Sequence, residues 1–143
     1  VPESRASTWD LVRGPFGVDV TFIDQALAYT FDRCAINTSR VAFMGFSDGA
    51  SYALSLGVSN GDLATQLVGF SPGFWDPAGY RTGRPPIFVS HGTTDEVIPI
   101  ATSRNSIVPD LRREGYLVEY VEFDGGHGMP PAIVTQALEW FLG

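Results

Sequence analysis

The sequence has 143 residues, 44% of them hydrophobic, and a mean hydropathy of +0.06, which fits a chain folding around one core and excludes a disordered segment. A formal net charge of −7 argues against nucleic acid or an anionic membrane surface as partner, and no apolar run approaches the length of a membrane span. The first residues, Val1-Pro2-Glu3-Ser4-Arg5, do not resemble a signal peptide, and the expected compartment is the cytoplasm.

In chain order, residues 1–17 carry Pro, Gly and Arg with little periodicity and read as an irregular lead-in. Asp19 looks like an N-cap, after which Val20, Ile23, Leu27 and Phe31 recur at helical spacing to about Arg33. The lone cysteine, Cys34, cannot form an internal disulfide, and its place near the end of that helix predicts a buried structural thiol. Val41 to Phe46 is an apolar run that suits a buried strand, and the run from Asp48 suits a helix ending around Gly57 to Gly61. Leu67 to Ser71 is predicted as a second strand, residues 72–84 as loop, and Pro86 to Ser90 as a third strand. Ala101 to Glu114 has a helical pattern with Pro109 inside it, so a kink or two short pieces are expected. Leu117 to Phe123 alternates as an edge strand does. Pro130 or Pro131 opens a last helix, with Ile133, Val134, Ala137, Leu138 and Phe141 on its buried side.

Strands alternating with helices predict a single α/β domain over 1–143, with a mostly parallel sheet of about four strands. In such a sheet every strand-to-helix loop opens at the same rim. Ser47, Asp95 and His127 fall in three of those loops.

Ser47 stands at the apex of Gly45-Phe46-Ser47-Asp48-Gly49, the Gly-x-Ser-x-Gly pattern of a nucleophile elbow. The bare pattern is common in a chain with 16 glycines; its place between a strand and a helix gives it weight. The flanking glycines are expected because Cβ atoms there would collide with the incoming strand or outgoing helix. A serine hydroxyl needs a base, histidine suits the task, and a carboxylate on the other ring nitrogen fixes the tautomer. His127, in Gly125-Gly126-His127-Gly128, is the expected base, with His91 a rival better suited to a hydrogen-bonded structural role. Asp95 is the expected acid, with Glu96 behind it; Asp48, Asp76 and Asp124 compete less well. The two histidines lack Cys or acidic partners at ligand spacing, so neither a metal nor a cofactor is expected.

Gly45 to Ala50, His91-Gly92-Thr93-Thr94-Asp95-Glu96-Val97-Ile98-Pro99 and Gly125-Gly126-His127 together resemble the carboxylesterase/phospholipase (dienelactone hydrolase-like) branch of the α/β-hydrolase superfamily. The likeness runs from about residue 18 onward. It implies ester hydrolysis through an acyl-serine intermediate, with Ser47 as nucleophile, Asp95 as acid and His127 as base. The sequence departs from the family in strand count: the resemblance implies further strands before the helix that precedes the elbow, and none is read here. Those strands bring one oxyanion donor, which leaves the backbone N–H of Asp48 as the other. Short-chain esters are the expected substrates, in a pocket lined by Phe46, Phe74, Trp75, Ile98 and Met129. A bare elbow-strand edge predicts a homodimer that covers it. The competing reading is a catalytically weak half-fold that serves as a binding module.

Overall fold

Four apolar runs become four strands, and the computed structural model, which describes residues 1–77 and 79–143, joins them in one parallel sheet in the order β1-β2-β3-β4. The strands are β1 (Ala42–Phe46), β2 (Gln66–Phe70), β3 (Ile87–Gly92) and β4 (Val118–Phe123). Gly45 stands opposite Gly69, Val68 opposite Phe88, and Val89 opposite Tyr120. Because all four run the same way, their C-terminal ends share one rim.

Side chains alternate across the sheet, so each face has its own core. On one face Leu67, Ile87 and Val89 pack with Leu54 and Val58 of the helix that follows β1, and with Ile107, Val108 and Leu111 further on. On the other face Val68, Phe70 and Phe88 pack against Ile133 and Ala137 of the last helix. The central strands are therefore apolar on both sides, as parallel strands between helices must be.

The lead-in is not irregular throughout: Asp10–Arg13 form a short helix, α1. Asp19 does not cap the next helix, α2 (Val18–Arg33), whose cap position is Gly17. Asp19 is instead buried, and its carboxylate accepts the backbone N–H of Arg5 at 2.6 Å and of Asp10 at 2.7 Å. Asp10 in turn accepts the N–H groups of Gly17 and Asp19 at 2.8 and 2.9 Å. These bonds make a buried carboxylate tolerable. The Trp9 ring stacks on Tyr52 at 4.5 Å and Phe16 meets the same ring edge-on at 5.4 Å, which docks the lead-in against the core.

Helix α3 (Asp48–Ser59) is buried almost all round. It lies so close to β2 that a Cβ on Gly57 would come within 2.1 Å of Leu67 Cδ2. The predicted break around Pro109 takes the form of a π-helical turn, Ser103–Ile107, running into α4 (Val108–Arg113). There the Val108 N–H reaches back to the Ser103 carbonyl, and Pro109 falls in the first turn of α4, where its missing N–H costs little. The last helix, α5 (Pro131–Leu142), begins at the second of the two prolines.

Three burial expectations are corrected. Cys34 is exposed, because α2 ends at Arg33 and the cysteine follows in extended conformation beyond the last turn. The elbow strand is not fully buried: β1 is an edge of the sheet, and Met44 is 43% exposed. Leu138 is exposed, since α5 seats Ile133 and Ala137 inward and the next position turns about 100° away. As predicted from its alternation, β4 is the other edge. Among the described residues no helix is long and apolar enough to cross a membrane.

Candidate active site

The turn between β1 and α3 puts Ser47 at φ 55° and ψ −121°, a left-handed conformation that costs a non-glycine residue about 1–3 kcal/mol. The turn is held from both sides. Ser47 donates its N–H to the Phe70 carbonyl at 2.9 Å, and its own carbonyl accepts the N–H groups of Ala50 and Ser51 at 3.0 and 3.1 Å. A Cβ on Gly45 would lie 2.0 Å from the Gly49 carbonyl oxygen, so strand and helix meet there with no room for a side chain. Gly49 differs from expectation: a Cβ there would meet Trp9 Nε1 at 3.5 Å, an ordinary contact. Asp48 opens α3, which leaves its backbone N–H without an intrahelical acceptor beside the serine.

From the loop after β3 comes Asp95, 7% exposed. One carboxylate oxygen, Oδ1, accepts the backbone N–H groups of Val97 and Ile98 at 2.9 and 2.8 Å. The other, Oδ2, lies 2.7 Å from Nδ1 of His127, which the loop after β4 delivers. Because a carboxylate only accepts, Nδ1 carries the proton and donates it. Nε2 of His127 is then free to accept, and Ser47 Oγ is 2.9 Å away. Burial raises the Asp95 pKa, but the hydrogen bonds from His127, Ile98 and Val97 outweigh it and hold the carboxyl below its usual range. The Phe46 ring sits 4.8 Å from the His127 ring and covers one side of it.

The rivals are elsewhere or otherwise engaged. His91 is fully buried, with Nδ1 2.7 Å from Ser103 Oγ and Nε2 2.8 Å from the Ile98 carbonyl oxygen, a hydrogen-bonded interior histidine as its strand-end position suggested. Glu96, Asp76 and Asp124 are exposed. Asp48 turns away from the histidine row to accept the Thr8 hydroxyl at 2.6 Å. Among the described residues no group of three or more His, Cys, Asp or Glu is placed to hold a metal ion.

With that geometry in place, the comparison with known sequences is decisive for family. The model of the Phospholipase/Carboxylesterase family matches residues 19–140. The chain belongs to the phospholipase/carboxylesterase family. No curated protein sequence matches it. Solved structures share the fold: esterase PE8 superposes with a TM-score of 0.74 at 23% identity, over 87% of this chain and 59% of that one. Arabidopsis thaliana SOBER1 gives 0.68 at 21%, over 85% and 59%, and the Bacillus cereus carboxylesterase 0.63 at 23%, over 86% and 60%. The chain thus spans about three-fifths of the length of these structures.

The five residues expected to line an acyl pocket of this phospholipase/carboxylesterase chain are placed unevenly. Phe46 lies against His127, and Ile98 belongs to the loop that binds Asp95. Phe74 is half-buried, its N–H bonded to Ser51 Oγ at 3.2 Å. Met129 is 45% exposed. Trp75 packs with the core, edge-on to Tyr116 at 6.5 Å. An apolar groove of about 550 Å³ lies away from them, between the Phe22, Ile23 and Leu27 side of α2, the β1 edge and the Tyr52 side of α3.

Three buried serines that support the site escaped the sequence reading. Ser51 and Ser55 are buried on α3, where Ser51 Oγ accepts the N–H groups of Gly73 and Phe74 and Ser55 Oγ that of Asp76 at 2.8 Å. They pin the loop after β2 beside Ser47; the four-residue spacing 47-51-55 was the available signal. Ser103, buried under His91, had none.

Proposed function

We propose that this chain is a serine carboxylesterase that cleaves short-chain carboxylic esters through an acyl-serine intermediate. One observation carries the reading: Ser47 Oγ, the His127 ring and the Asp95 carboxylate form a continuous hydrogen-bonded row at the C-terminal rim of the sheet. Family membership supports it independently.

In this scheme Ser47 Oγ attacks the ester carbonyl carbon while His127 Nε2 takes the hydroxyl proton. Asp95, ionised, steadies the imidazolium through Nδ1. Negative charge gathers on the former carbonyl oxygen, where the backbone N–H of Asp48 stabilises it. His127 then passes its proton to the departing alcohol, leaving an ester on Ser47. Water attacks that ester as His127 accepts a proton from it, and the proton returns to Ser47 when the acid is released. Loss of one oxyanion donor typically costs about 10²–10³ in rate, which is the weight the Asp48 N–H carries in this scheme. Phe46, Phe74, Ile98 and Met129 are the proposed walls for a short acyl chain, with Trp75 as their backing.

The reading is tested by hydrolysis of p-nitrophenyl acetate and butyrate. The expected result is turnover that falls at least about 10³-fold in Ser47→Ala. Turnover unchanged in that variant eliminates the serine mechanism.

The proposal extends to assembly. The β1 edge carries unpaired backbone groups beside an apolar groove, and pairing of two copies there would satisfy them. Sedimentation equilibrium giving a dimer supports this; a monomer at high concentration rejects it.

A further inference from the structure

Asp95 is held by more than His127. Its Oδ1 takes the Ile98 N–H, and the carbonyl of the same Ile98 residue takes a hydrogen bond from His91 Nε2 at 2.8 Å. The same Nε2 lies 3.2 Å from Asp95 Oδ2, the oxygen that His127 uses. Both neighbours of Nε2 are acceptors, so it must carry a proton. On the far side Nδ1 meets the Ser103 hydroxyl at 2.7 Å, in a wholly buried site. Residues 95–98 therefore close into a small loop whose carboxylate and whose Ile98 carbonyl are both fixed by one ring. That ring is itself fixed by a serine from the π-helical turn before α4.

We propose that His91 is a positioning residue for the reaction: it sets the orientation of the Asp95 carboxylate, and through it that of His127. It touches no reacting atom. Any buried imidazole needs partners at both nitrogens; what singles out His91 is which partners it has, since Nε2 stands against both the Asp95 carboxylate and the carbonyl of Ile98, whose N–H holds that carboxylate. The inference rests on the assignment of Ser47, His127 and Asp95 made above, and goes beyond it by giving the remaining histidine a task in the same chemistry.

Its consequences are specific. In His91→Leu the Ile98 carbonyl and the Ser103 hydroxyl lose their partner, and the carboxylate loses one wall. Misplacement of a catalytic group by about 1 Å costs on the order of 10²-fold, so kcat is expected to fall about 10–100-fold with KM little changed. His91→Gln puts an amide donor near the position of Nε2 and should restore most of that loss. A readout independent of turnover is the downfield proton resonance of the His127 Nδ1–H bonded to Asp95. It should be present in the parent, broadened or moved upfield in His91→Leu, and recovered in His91→Gln.

The experiment measures kcat, KM and this resonance in the parent and both variants, with folding checked by circular dichroism. A folded His91→Leu with parental kcat and resonance overturns the proposal. Should His91→Leu fail to fold, Ser103→Ala decides, since it frees the ring on its Nδ1 side. A fall in kcat with a shifted resonance supports the role, and parental values overturn it. Fluorophosphonate labelling of the parent separates this from the underlying mechanism. An unlabelled Ser47 sinks the serine chemistry, while the resonance still reports whether His91 orders the Asp95–His127 pair.

Discussion

Gly92 and Gly125 touch so closely that no side chain could stand between them: a Cβ on Gly92 would lie 2.3 Å from the Gly125 carbonyl oxygen and equally near that of Gly126. Beside this contact Thr94 donates its N–H to the same Gly125 carbonyl at 3.0 Å. The loop that brings Asp95 and the loop that brings His127 are thus locked to one another before their side chains meet.

Gly92→Ala must push these loops apart. The expected outcome is a fall in esterase kcat of about 10²-fold, from misalignment of the proposed acid and base, with a lowered melting temperature. Steady-state kinetics and thermal unfolding check it; a variant with parental kcat would remove this contact from the account.

The glycines around Ser47 should behave unequally. At Gly45 an added Cβ has only backbone to collide with, and Gly45→Ala is expected to cost more than about 3 kcal/mol or to prevent folding. At Gly49 the backbone is helical and an added Cβ makes only an ordinary contact with Trp9, so Gly49→Ala should stay within about 1 kcal/mol of the parent. Urea denaturation of the two variants gives the comparison.

These cases show what a sequence discloses. The strands and long helices were readable because periodicity reflects burial on one or two faces, and β4 announced itself as an edge by its alternation. The meeting of Ser47, Asp95 and His127 followed from parallel strands delivering their loops to one rim. What did not follow depends on neighbours distant in sequence. The apolar stripe of α2 faces an open groove, and Cys34 is exposed because the helix stops at Arg33 and leaves it in extended backbone beyond the last turn. Asp19 resembled a cap because nothing local reveals that Arg5 and Asp10 fold back to donate to it. Gly49 looked as indispensable as Gly45 because a motif does not say which of its glycines is crowded.

Asp95 gives the fold a defined acid sensitivity. Its carboxyl is held below the usual value, so the native state resists the proton that the unfolded chain accepts. Its contribution is complete above the unfolded carboxyl pKa of about 4 and fades as pH falls below that toward the folded value. The stability difference between parent and Asp95→Asn should therefore shrink as pH is lowered from 6 to about 3, measured by denaturant unfolding. A difference constant across that range would contradict the depressed pKa.

Ser51→Ala removes the acceptor shared by the Gly73 and Phe74 N–H groups. Leaving half-buried donors unpaired should cost about 1–3 kcal/mol. Faster amide exchange at Gly73 and Phe74 is the local sign to look for, and unchanged exchange there would show that the loop is held by other means.

The central claim is that Ser47 is an activated nucleophile, and reaction with a fluorophosphonate followed by peptide mass spectrometry tests it most directly. The account predicts one adduct per chain, on the peptide containing Ser47, lost in Ser47→Ala and strongly slowed in His127→Ala. No adduct, or an adduct on another residue at the same rate in all three proteins, would contradict it.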